Sequence, residues 1–241
     1  MDEKEIKERI IFPLDVPDRT EALAWVRRLG GEVGVFKIGL ELFTAEGPEI
    51  VRAVKEESGA RIFLDLKFHD IPVTVERAVA RALDLKVDLL TVHALAGRAA
   101  LRAAALAAEG GLKILVVTVL TSLTRADLME VGLSAELVRD IRELTLKMAS
   151  LARISGCHGI VCSAKEVSAV KEAFPRLLTV VPGVRPAWAS QDDQVRVATP
   201  AEAAVAGADY LVIGRPIRQA PDPREAVKKI VSEILKGLEE A

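Results

Sequence analysis

Aromatic residues are scarce in this chain: six Phe, two Trp and one Tyr among 241 residues. That scarcity argues against a base-stacking platform for nucleic acid. Runs of like charge are missing as well, and 33 basic against 35 acidic residues leave a net charge of −2. Neither a nucleic-acid arm nor a polybasic membrane patch is therefore expected. No apolar stretch reaches the roughly 18 residues of a membrane span. The opening Met1-Asp2-Glu3-Lys4-Glu5 is charged and has no apolar core, so no secretory signal is expected and the cytoplasm is the expected location. Cysteine is limited to Cys157 and Cys162, which flank His158. Their odd separation along a strand-like run sends them to opposite faces, which disfavours a shared ion and favours two buried thiols in a reducing compartment.

What the chain does have is the balance of a soluble globular protein, half apolar and 28% charged. Strand-like apolar runs alternate with helix-period segments from end to end. The strands are expected at 9–15, 34–39, within the stretch 61–72, and at 88–93, 112–120, 159–162, 177–181 and 209–213. Helices are expected after Asp18, near Gly47-Pro48, over 70–83, up to Gly110-Gly111, over 135–155, from Ser163 toward Phe174, near Thr199 and over 223–238. Eight such units in one chain match a (β/α)8 TIM barrel in count, order and length, with residues 1–241 as a single domain. A doubly wound sheet would also alternate, but no Gly-x-Gly-x-x-Gly follows the first strand.

The stretch Arg61-Ile62-Phe63-Leu64-Asp65-Leu66-Lys67-Phe68-His69-Asp70-Ile71-Pro72 departs from an ordinary core strand. Side-chain alternation points Asp65 and Lys67 to one face. Burying such charges costs several kcal/mol per ion unless each is paired. One reading is a structural ion pair, with Asp70 as the N-cap of the next helix; the other is catalytic. Asp15, Lys37, Asp65, Lys67, His93 and Thr121 all fall at or just beyond the ends of successive strands. In a barrel those ends converge on one mouth, where active sites of this fold are found.

The loops after the seventh and eighth strands carry a second pattern. Pro182-Gly183-Val184-Arg185 and Ile213-Gly214-Arg215-Pro216 each couple a Gly to an Arg. Barrels often bind phosphate at these loops, through backbone N–H groups and charge-assisted Arg contacts. The irregular segment 184–198, with Trp188, Ser190, Asp192, Asp193 and Gln194, is long enough to be a lid.

With these residues laid out, the chain resembles the orotidine 5′-monophosphate decarboxylases of bacterial type over essentially its whole length. The most specific part is Phe63-Leu64-Asp65-Leu66-Lys67-Phe68-His69-Asp70-Ile71-Pro72. Supporting segments are Phe36-Lys37-Ile38-Gly39, Thr179-Val180-Val181-Pro182-Gly183-Val184-Arg185 and Val212-Ile213-Gly214-Arg215. The resemblance implies a charged array of Lys37, Asp65, Lys67 and Asp70, with Lys67 delivering a proton to C6 of the pyrimidine. It implies that Asp15 and Lys37 hold ribose hydroxyls, Thr121 contacts the base, and Arg185, Gln194, Gly214 and Arg215 hold the phosphate. It further implies a homodimer in which Asp70, Ile71 and Thr74 reach the partner's site, and chemistry with neither cofactor nor metal. His93 is placed at the mouth without a chemical step. The strongest rival is a metal-dependent sugar-phosphate enzyme such as a hexulose-phosphate synthase, which shares Asp-x-Lys-x-x-Asp at a strand end. A non-enzymatic phosphate-binding barrel would explain the Gly-Arg loops but not the Asp-Lys-Asp array.

Overall fold

Eight short strands close in chain order into a parallel barrel: β1 (Ile10–Pro13), β2 (Val35–Gly39), β3 (Arg61–Phe68), β4 (Leu89–His93), β5 (Lys113–Val117), β6 (Gly159–Val161), β7 (Leu178–Val181) and β8 (Tyr210–Val212). The last strand returns to pair with the first, Ile10 beside Leu211 and Ile11 beside Val212. The computed structural model describes residues 1–189 and 198–241. Parallel neighbours need a crossover, and helices supply one between each pair of strands. This is the (β/α)8 barrel expected from the alternation.

The apolar residues divide between two cores. Neighbours on a strand go to opposite faces, so Phe12, Phe36 and Leu64 pack outward under the helices, while Ile11, Val35 and Phe63 pack inside the barrel. Covering both faces makes the strands read as continuous apolar runs rather than alternating ones. At the N-terminal end of the barrel, Arg61 donates to the Tyr210 hydroxyl at 2.8 Å and stacks over its ring. The same guanidinium bonds the Glu8 carbonyl, which ties the helix Glu3–Arg9 against this end of the sheet.

That first helix was not expected from its charged sequence. An Asp2/Glu5 capping box starts it, and the single buried residue Ile6 anchors it. Elsewhere the boundaries shift for physical reasons. The fifth strand ends at Val117, not near residue 120, because Val119 and Leu120 turn away to line the barrel mouth. The helix expected over 135–155 begins at Ile141, capped by Asp140, and a separate helix, Arg125–Glu130, precedes it with its own Thr124/Asp127 capping box. Two helices, Leu40–Glu46 and Glu49–Ser58, replace the one expected near Gly47, whose φ of +64° breaks them apart. The caps at Asp18 and Ser163 form as expected.

Candidate active site

Four charged side chains of alternating sign run across the C-terminal mouth of the barrel. Asp15, just beyond β1, lies 3.1 Å from the Lys37 ammonium, which lies 3.8 Å from Asp65; Asp65 in turn holds Lys67 at 2.9 Å. Lys67 Nζ contacts both carboxylate oxygens of Asp65. The middle of this chain is the most enclosed: the side chains of Lys37 and Asp65 are 12% and 14% exposed, against 33% for Lys67 and 52% for Asp15. Each inner charge therefore has an opposite charge on either side, which is how ions withstand partial burial. An ammonium has three N–H donors, and Lys67, at one end of the run and lining the cavity, keeps donor capacity for a ligand. Gly39 makes room for the array, since a Cβ there would stand 3.0 Å from Lys37 Nζ and 3.6 Å from Asp15 Oδ1.

Asp65 and Lys67 meet, but simple alternation is only part of the reason. The pairing of β3 with β4 slips between Leu64, opposite Leu90, and Phe68, opposite Val92. Asp65, Leu66 and Lys67 thus face Thr91 alone. Bulges of this kind occur next to active sites, where they re-aim a side chain. Lys67 sits at φ +49°, a left-handed conformation that costs a non-Gly residue about 1–3 kcal/mol. Thr91, fully buried on β4, accepts the Lys67 backbone N–H at 2.9 Å and donates its hydroxyl to Asp65 Oδ1 at 2.9 Å. Thr91 carries no signal in the sequence, because a lone Thr in Leu89-Leu90-Thr91-Val92 looks like any β-branched strand residue.

Lys37, Asp65, Lys67 and Thr121 line a cavity of about 200 Å³ together with apolar Phe63, Val117, Leu120, Val180 and Val212. A few polar side chains among mainly apolar walls suit a small ligand carrying polar groups. Arg185 and Arg215 line a second cleft of about 420 Å³ with Trp188 and Gln219. Arg185 is almost fully buried and donates to the Val184 carbonyl at 2.9 Å. Its backbone N–H donates to the Ala198 carbonyl, so the two ends of the 184–198 segment are stitched together. Ser190, Asp192, Asp193 and Gln194, singled out as lid residues, lie outside the described residues. Gly214 has a packing reason as well as a loop one: a Cβ would come within 2.7 Å of the Pro13 ring.

Asp70 is not a helix cap, so the structural alternative for this residue falls away. The helix Pro72–Asp84 has Ile71 as its N-cap residue and Pro at its start, and Pro needs no N–H acceptor at that position. Asp70 Oδ1 instead accepts the Ile71 N–H at 2.7 Å. Asp70 and Thr74 are exposed, Ile71 is 63% exposed and Val73 45%, and none of the ion pairs among the described residues includes Asp70. His93 closes β4 but faces His69 rather than the cavity, the two rings stacked 5.3 Å apart. Its Nδ1 accepts the Leu95 N–H, and burial, then His69 and Lys67, hold its pKa below the usual histidine range. Cys157 and Cys162 are both buried free thiols. Burial pushes the Cys157 thiol up to about 12, and burial, then the Glu166 carboxylate, raises that of Cys162.

The sequence matches the model of the orotidine 5′-phosphate decarboxylase / HUMPS family over residues 8–230. An orotidine 5′-phosphate decarboxylase from Anaeromyxobacter dehalogenans is 50% identical over 226 residues, spanning 93% of this chain and 97% of that protein. Another, from Trichlorobacter lovleyi, is 45% identical over 246 residues, spanning 99% of this chain and all of that protein. The solved orotidine 5′-phosphate decarboxylase of Lactobacillus acidophilus matches the fold with a TM-score of 0.77 at 32% identity, covering 93% of this chain and 98% of that one.

Proposed function

This chain belongs to the orotidine 5′-phosphate decarboxylase / HUMPS family, and on that premise we propose that it converts orotidine 5′-monophosphate to uridine 5′-monophosphate in pyrimidine biosynthesis, with no cofactor. The observation that carries the proposal is the Asp15–Lys37–Asp65–Lys67 run bordering a small, apolar-walled cavity at the barrel mouth. In the reaction the bond from C6 to the carboxylate carbon breaks and CO2 leaves. The electron pair stays on C6 in the plane of the ring, where the π system cannot spread it. The Lys67 ammonium gives C6 its proton and recovers one from solvent.

The chain's own groups supply the rest. A fixed ammonium placed where charge develops is preorganised electrostatic stabilisation, the effect that usually dominates catalysis. Asp65, bonded to Lys67 through both oxygens, aims that ammonium. A substrate carboxylate held at about 4 Å from Asp65 would also be repelled by about 4 kcal/mol at an effective dielectric near 20, and loss of CO2 relieves that repulsion. Asp15 and Lys37 are assigned to the ribose hydroxyls and Thr121 to the base. Arg185, Gln194, Gly214 and Arg215 are assigned to the phosphate, whose binding energy is spent far from the reacting carbon on closure and orientation. Asp70, Ile71 and Thr74 are assigned to the site of a second copy in a homodimer. The apolar exposure at Ile71 and Val73 beside Asp70 supports that assignment.

Two features speak against the metal-dependent rival. Lys67 and Lys37 already engage Asp65, and among the described residues no three His, Cys, Asp or Glu side chains gather as a ligand set. No helix among the described residues is long and apolar enough to cross a membrane, and two buried free thiols suit a reducing cytoplasm. The deciding experiment follows pyrimidine absorbance after mixing purified protein with orotidine 5′-monophosphate in EDTA-treated buffer. Turnover is expected there; activity that disappears with EDTA and returns with Mg²⁺ would favour the rival.

A further inference from the structure

We infer that Thr91 is a positioning residue for this reaction, setting the backbone of Lys67 and the carboxylate of Asp65 through one hydroxyl. The inference rests on the decarboxylase reading above and extends it to a residue that touches no substrate. Because β3 carries three residues opposite the single Thr91, the Lys67 N–H has left the regular strand ladder. A buried backbone donor without a partner is costly, and the Thr91 hydroxyl supplies the acceptor at 2.9 Å. Having accepted from Lys67, the hydroxyl spends its one hydrogen on Asp65 Oδ1, also at 2.9 Å. The direction of both bonds is forced, since a backbone N–H can only donate and an ionised carboxylate can only accept.

The ring closes on itself: Thr91 to Asp65, Asp65 to the Lys67 ammonium, and Lys67 back to Thr91 through its own N–H. The left-handed backbone at Lys67 is the kind of local strain that persists only when surrounding contacts over-determine it. Thr91 is itself held, fully buried and in register with Leu115 of β5. The hydroxyl therefore transmits the rigidity of the barrel wall to the proton donor. Its loss should misplace the donor while leaving the phosphate contacts alone.

The test compares Thr91→Val, which keeps the shape and deletes the hydroxyl, with Thr91→Ser, which keeps the hydroxyl and deletes the methyl. Thr91→Val is expected to lower kcat by about 10- to 100-fold, the range for losing buried bonds to charged groups, with KM for orotidine 5′-monophosphate changed by less than about threefold. Thr91→Ser is expected to return kcat to within about threefold of wild type. Wild-type kcat in Thr91→Val, or equal damage in both variants, overturns the inference. If Thr91→Val does not fold, Thr91→Ala takes its place under the same criteria. A crystal structure of the hydroxyl-deleted variant reads the geometry without any assay: Lys67 should leave its left-handed conformation, and an unchanged Lys67–Asp65 pair overturns the inference. A wild-type protein without turnover would instead remove the decarboxylase reading, which separates the two failures.

Discussion

Lys67 Nζ lies 2.9 Å from both carboxylate oxygens of Asp65, a residue only two positions earlier in the chain. A regular strand would put their Cβ atoms on one face. The bulge and the left-handed backbone at Lys67 bring the charged ends together. Both residues line the cavity at the barrel mouth, so the pair is accessible to a ligand there.

Replacing Lys67 by Ala should abolish turnover, with kcat reduced by at least about 10³-fold, as for removal of a central electrostatic group. The protein should still fold, because Asp65 keeps Lys37 and Thr91 as partners. Steady-state kinetics, with calorimetric titration of uridine 5′-monophosphate as a control for binding, checks this. Undiminished turnover would remove Lys67 as proton donor.

Arg215→Ala should act on binding. Charge-assisted bonds to phosphate are worth about 1.5–3 kcal/mol, so KM should rise about 10- to 100-fold with a smaller change in kcat. An unchanged KM would withdraw the phosphate assignment from the loop after β8.

If Asp70 serves the neighbouring subunit, Lys67→Ala and Asp70→Ala proteins should each be inactive alone and complement each other when mixed. After random subunit exchange, half the dimers are mixed and each has one intact site, so about a quarter of wild-type sites should reappear. A mixture that stays inactive after exchange, verified by mass spectrometry, would place Asp70 in its own subunit's site or in none.

Two histidines make stability sensitive to mild acid. Burial lowers the pKa of His93 and of His158 below 6.5, helped by His69 and Lys67 for the first and by Lys113 for the second. Both use Nδ1 to accept a backbone N–H, from Leu95 and Ile114. The unfolded chain therefore binds protons more readily near pH 6, and ΔG of unfolding must fall as pH drops from 6.5 through the folded-state values. Urea midpoints at pH 7.5 and 5.5, above the usual carboxylate range, should show the loss. His158→Asn, whose side-chain oxygen can take over the acceptor role, should flatten it; an equal slope in both proteins would assign the effect elsewhere.

Much of this molecule was legible in its sequence because the signals were local. Apolar periodicity located all eight strands, Asp18 and Ser163 marked helix starts that form as expected, and the polar strand ends pointed to one mouth. Asp15, Lys37, Asp65 and Lys67 do come together there. His93 lies at the same end but stacks on His69 instead. Asp70 could be read from the sequence as a cap, since it precedes a helical pattern, but Pro72 leaves the helix start with fewer donors to satisfy and Ile71 takes the cap position. What only the tertiary structure decided is the slip between β3 and β4. Register belongs to a pair of strands, not to either sequence alone, so nothing within residues 61–72 could disclose that Lys67 would be left-handed or that Thr91, 24 positions away, would hold it.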